Sequence, residues 1–168
     1  MDKNRTSYKI GQASILTALA LIVSYIEAIL PFSIAIPGVK LGIANIVIVI
    51  ALYRLGARYA FTINVLRIFI AGFLFSGVFG ILYSLAGGLL SFVVMIGVKK
   101  ARIFSIVGVS LAGGVAHNLG QLLTAAALVE NIKVFVYFPV LLFAGLVSGI
   151  LIGIVAGLVV DRLDKAKV

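Results

Sequence analysis

Apolar residues fill the chain in six runs separated by short polar or turn-forming segments. The first extends from Ile10 to Leu30, is stopped by Pro31, and is followed by a Pro37-Gly38 turn before Lys40. The second, Leu41–Tyr53, ends at Arg54 and Arg58, and the third, Tyr59–Ser76, carries Arg67 near its middle. Gly77 and Gly80 bracket a tight connection to the fourth run, Phe79–Val98, which closes in Lys99, Lys100 and Arg102. The fifth, Phe104–Val129, leads through Glu130, Asn131 and Lys133 into the sixth, Val134–Val160. A membrane-crossing helix needs about 20 mostly apolar residues. The second run is the exception, because its 13 residues reach only about 20 Å as a helix. It must tilt, recruit part of the preceding loop, or lie buried among the other helices. The pattern predicts an all-α integral membrane protein, a six-transmembrane-helix bundle. One domain covers 10–160, between polar tails at 1–9 and 161–168.

Composition agrees: 63% of the 168 residues are hydrophobic and 11% charged, where a soluble domain carries about 25% charged residues. A net charge of +9 would suit nucleic acid if the basic residues formed a patch. They instead cluster between the apolar runs. Eleven Lys and Arg fall in the N-terminal tail, the 54–58 and 99–102 connections and the C-terminal tail; two, Lys40 and Lys133, fall on the other side. This bias predicts both termini in the cytoplasm of a multi-pass cell-membrane protein, with no nucleic-acid partner. With no cysteine, one histidine and five acids, neither a metal nor another cofactor is expected. No Gly-rich nucleotide loop occurs, a Ser-His-Asp set is implausible, and Asp161 and Asp164 sit in a basic tail. The chain is not expected to be an enzyme. No sequence repeat relates its halves.

Two kinds of residue break the apolar runs. Small residues form stripes: Gly145, Gly149, Gly153 and Gly157 in the sixth run, Ser84, Gly87, Gly88 and Ser91 in the fourth, and Ala13, Thr17, Ala20 and Ser24 in the first. In lipid such stripes let helix backbones approach closely. They pack the bundle internally or dock a partner, the latter best motivated for the first helix because terminal helices often lie at the periphery. Polar side chains at membrane depth are the second kind, and they are functional-site candidates by default. Arg67 either pairs with Glu27, the only acid inside a run, or contacts an anionic or carbonyl group of a ligand. His117 and Gln121 share a face at i, i+4, with Asn118 rotated by about 100°; they form interhelical hydrogen bonds or line a cavity. Lys40 beside a helix start near Asn45 would favour an anion.

The runs Pro37-Gly38-Val39-Lys40-Leu41-Gly42-Ile43-Ala44-Asn45, Tyr83-Ser84-Leu85-Ala86-Gly87-Gly88 and Gly113-Gly114-Val115-Ala116-His117-Asn118-Leu119-Gly120-Gln121 resemble the Gx transporter family, also catalogued as heptaprenyl diphosphate synthase component I. The likeness covers about residues 10–160. That family is similar to the substrate-binding S-components of energy-coupling factor (ECF) transporters. The resemblance implies six helices with cytoplasmic termini and capture of a small metabolite or vitamin-like molecule from outside. It also implies docking onto a transmembrane T-component with two ATPase subunits, for which Ala13, Thr17 and Ala20 are the candidate surface.

The leading expectation is therefore a substrate-binding membrane subunit with a pocket of Glu27, Lys40, Asn45, Arg67, His117, Asn118 and Gln121. The alternative is an accessory protein of prenyl diphosphate or quinone synthesis, or of membrane electron transfer, partnered by a prenyl synthase or redox protein. A polar cavity favours the first and a lipid-facing apolar slot the second.

Overall fold

A computed structural model of the chain describes residues 3–29 and 42–166. Their regular structure is entirely helical: α1 (Lys3–Ile29), α2 (Asn45–Arg54), α3 (Ala57–Ala71), α4 (Gly77–Lys100), α5 (Ile106–Val129) and α6 (Phe138–Lys165). A π-helical stretch, Gly72–Ser76, joins α3 to α4, and a 3-10 stretch, Ile132–Tyr137, precedes α6.

Four helical runs among the described residues are long and apolar enough to cross a membrane: Thr6–Ile29, Ala57–Lys100, Ile106–Val129 and Ile132–Lys165. The second, 44 residues long, folds back on itself. Gly77 turns the chain with φ 68°, a left-handed conformation that glycine adopts without steric cost. The two legs then meet where Asn64 Nδ2 donates to Gly88 O at 3.3 Å. The turn thus falls at Ser76–Gly77, within the region the sequence marked, while Gly80 belongs to α4.

The short α2 is the centre of the molecule. Its six residues from Val47 to Leu52 are all buried, so no face is left for lipid, as expected of a helix that is apolar all round. It packs against α1, α3 and α6. At about 15 Å long it cannot cross a bilayer, and of the alternatives the sequence left open the structure takes burial among other helices. Its C-terminal end is tied down by basic residues: Lys99 Nζ donates to Leu52 O at 2.6 Å and lies 4.2 Å from the Tyr53 ring centroid. Arg54 pairs with Asp164. Cations there also complement the helix C-terminus.

Of the small-residue stripes, Gly87, Gly88, Gly145, Gly149 and Gly153 lie at helix contacts. A Cβ on Gly114 would come 2.5 Å from Gly145 O, and one on Gly153 would come 2.7 Å from Val107 Cα. These distances measure how closely α5 and α6 approach. On the outer faces Ile15, Ile22, Phe143, Leu151 and Leu158 are exposed, a surface suited to hydrocarbon rather than to water.

Candidate functional site

Arg67 lies ten residues into α3, on the face turned to α2 and α4, and is 9% exposed. Its surroundings come from three helices. Nη2 donates to Asn64 Oδ1, one turn earlier in α3, at 2.9 Å, and to Asn45 Oδ1, the first residue of α2, at 3.3 Å. Asn64 is itself anchored on Gly88 O of α4. That approach depends on the missing side chain of Gly88, since a Cβ there would stand 2.8 Å from Ile68 Cδ1 and 3.2 Å from Asn64 Nδ2. The buried Nε of Arg67 has no acceptor among the described residues.

Among the described residues no carboxylate lies within 4.0 Å of Arg67, and Arg54–Asp164 is the one ion pair. Glu27 is near enough for an electrostatic interaction with Arg67. Its Oε1, however, accepts the backbone N–H of Gly42, just ahead of α2. The simple Arg67–Glu27 ion pair is therefore not the arrangement found. Two neutral amides hold the guanidinium and leave its charge uncompensated at short range.

His117, Asn118 and Gln121 are all buried on α5 but do not act together. His117 and Gln121 face α4 at Gly87, where a Cβ would meet His117 O at 2.8 Å and Gln121 Cγ at 3.0 Å. Gln121 Oε1 is buried without a donor among the described residues. Asn118 faces the other way and donates to Leu141 O of α6 at 2.8 Å, so its amide is spent on packing. Gly87 and Gly88 thus make α4 a thin partition, with Asn64 and Arg67 on one side and His117 and Gln121 on the other. Lys40, expected beside the helix start near Asn45, lies outside the described residues.

The stripe Ala13, Thr17 and Ala20 faces inward, which differs from the docking expectation. Ala20 is fully buried and Ala13 packs against the core, while Thr17 Oγ1 is bonded to Ala13 O. The reason is steric: the bulky face of α1 suits lipid, and the small face lets α1 approach α2 and α3. Asn64 is the participant the sequence reading passed over, although its i, i+3 spacing from Arg67 was a usable signal.

A separate feature is an open, apolar groove of about 460 Å³ between α4 and α5, lined by residues such as Leu82, Leu90, Leu123 and Leu128, with Gly120 and Thr124 along it. Among the described residues no group of three His, Cys, Asp or Glu could hold a metal ion.

A family model described as heptaprenyl diphosphate synthase component I matches residues 16–159. No curated protein and no solved structure matches the chain.

Proposed function

The chain belongs to the heptaprenyl diphosphate synthase component I family, and from that premise we propose that it is a membrane-embedded, S-component-like subunit that binds a small organic molecule through an anionic or carbonyl group. The chain performs no catalysis of its own in this reading. The carrying observation is Arg67: a guanidinium in an apolar bundle, held by two amides, with a buried Nε lacking an acceptor. Burying a charge with no carboxylate in direct contact is costly enough that it marks a functional group in a membrane protein, and a ligand oxyanion would supply that direct contact. Gln121 and His117 would line the far side of the α4 partition. Transport would need a separate T-component and two ATPase subunits.

Native mass spectrometry of the purified protein identifies what co-purifies, and adding that molecule back to stripped protein tests the site. A ligand at 100 times its Kd raises stability by about 2.7 kcal/mol. We expect Arg67→Ala to abolish the ligand-induced rise in Tm. Arg67→Lys should lose most of it as well, because an ammonium cannot reproduce planar, two-pronged contacts. Retention of the full shift in both variants would place the ligand elsewhere.

In this reading the chain makes six crossings with both termini cytoplasmic, supported by the charge bias and by a 57–100 run that doubles back at Gly77; α2, too short to cross by itself, is the buried part of the second crossing. The chain has no cysteine, so single cysteines report without background. Asn131→Cys should react with an impermeant thiol reagent on intact cells, and Lys100→Cys should not. Labelling at 100 from outside would overturn this orientation.

The apolar α4–α5 groove favours a second reading, an accessory role beside a prenyl synthase or redox partner, with an isoprenoid chain in the groove. The same mass spectrum discriminates: an isoprenoid or a co-eluting protein subunit supports it over the first.

A further inference from the structure

The end of α2 that receives Arg67 already holds an anion of the chain's own. Asn45 N–H closes a turn on Gly42 O at 2.8 Å, and Asn45 Oδ1 accepts from Arg67. Gly42 N–H is taken by the Glu27 carboxylate. Gly42 has φ 67°, and a Cβ there would come 3.0 Å from Asn45 Nδ2, so turn and amide are closely packed. Ala44, the residue preceding α2, provides no side-chain cap to it. One tight turn therefore separates the N–H held by Glu27 from the guanidinium whose Nε lacks an acceptor.

We propose that Glu27 is a resident counter-anion, which a ligand's carboxylate or phosphate must compete with for the Arg67 end of α2. The inference rests on the reading that Arg67 faces ligand, and it adds how the site is regulated. An oxyanion reaching Arg67 and the turn together enters the field of the Glu27 carboxylate. Two like charges at close range in a poorly screened interior repel strongly. Occupancy then requires Glu27 to release Gly42, which frees the outer part of α1 from the approach to α2. In the empty site Glu27 supplies the negative charge that an unaccompanied Arg67 would lack, and it does so without forming a direct ion pair that would close the site.

Glu27→Gln tests this, because a glutamine Oε1 still accepts from Gly42 N–H while the charge is gone. The full-length protein in detergent is titrated with sodium acetate and, separately, sodium phosphate, against sodium chloride at fixed ionic strength, with Tm as the readout. The half-saturating concentration of at least one oxyanion is expected to fall by about tenfold or more in Glu27→Gln, a change of about 1.4 kcal/mol. The two arms distinguish a carboxylate from a phosphate site. An Arg67-dependent shift in the wild type that Glu27→Gln does not strengthen would overturn the competition while sparing the Arg67 site. A shift that persists in Arg67→Met would overturn both. Absence of any shift, even in Glu27→Gln, would also overturn the proposal. Should Glu27→Gln fail to fold, Glu27→Ala serves instead. Rescue of its Tm by acetate or phosphate beyond the wild-type response supports the proposal, and failure of rescue overturns it.

Discussion

Gly149→Leu should abolish most folded protein, whereas Gly157→Leu should leave yield and Tm near the wild-type values. The four glycines of α6 are equivalent in spacing but not in surroundings. A Cβ on Gly149 would lie 2.7 Å from Leu111 Cα and 3.0 Å from Ser110 O. Both are backbone atoms of α5, which no rotamer change can move. Four added carbons must force the two helices apart along their whole contact. That separation also strains the Gly145–Gly114 approach and the Asn118–Leu141 hydrogen bond. Overpacking costs about 1–3 kcal/mol where side chains can shift, and a seam of backbone against backbone belongs at the upper end or beyond. Gly157 has nothing within 4 Å. Antiparallel pairing explains why: Gly153 already faces Val107 near the start of α5 at Ile106, so one turn further α6 has run past the end of α5. A surface change there is worth about 0.5 kcal/mol or less. Fluorescence-detected size-exclusion yield and detergent melts check both variants; equal yields would mean that α5 and α6 are not pressed together at Gly149.

The same comparison indicates what the sequence can and cannot carry. Apolar run lengths and basic clusters located all six helices, because membrane insertion imposes length and charge rules on each segment separately. Stripe positions were legible too, since small residues at helical spacing can serve little but close approach. What they approach was not. Ala13, Thr17 and Ala20 turn inward because α2 and α3 fit against that side of α1, which is a property of the assembly. Asn118 and Gln121 look alike in the sequence, yet one is spent on α6 and the other faces α4. The sequence leaves Arg67 either to Glu27 or to a ligand, and the N–H of Gly42 just ahead of α2 takes the Glu27 oxygen. Periodicity reads one helix at a time, whereas the contacts of Arg67 are assembled from α2 and α3 and are anchored on α4.

Asn64→Leu should destabilise the bundle by about 2–3 kcal/mol, and adding Arg67→Met to it should recover most of that loss. Asn64 provides the nearer of two acceptors for Arg67 Nη2, at 2.9 Å against 3.3 Å for Asn45. Removing it leaves a buried guanidinium with a single long hydrogen bond, and hydrogen bonds to charged groups contribute about 1.5–3 kcal/mol. The Gly88 carbonyl would also lose its donor. Arg67→Met alone strands the Asn64 and Asn45 oxygens and should cost about 1–2 kcal/mol. With both changes the charge and its principal acceptor disappear together, and replacing a whole buried polar set by apolar groups of similar size is often close to neutral. The two effects should therefore fall short of additivity by about 3 kcal/mol or more, at the upper end of the range for residues in direct contact. Simple addition of the two losses would show that Asn64 does not support Arg67. The double variant also separates the two roles of the arginine. It should melt near the wild-type temperature and still give no Tm response to the co-purified molecule, because a stable bundle without the guanidinium retains the fold and lacks the group that receives the anion.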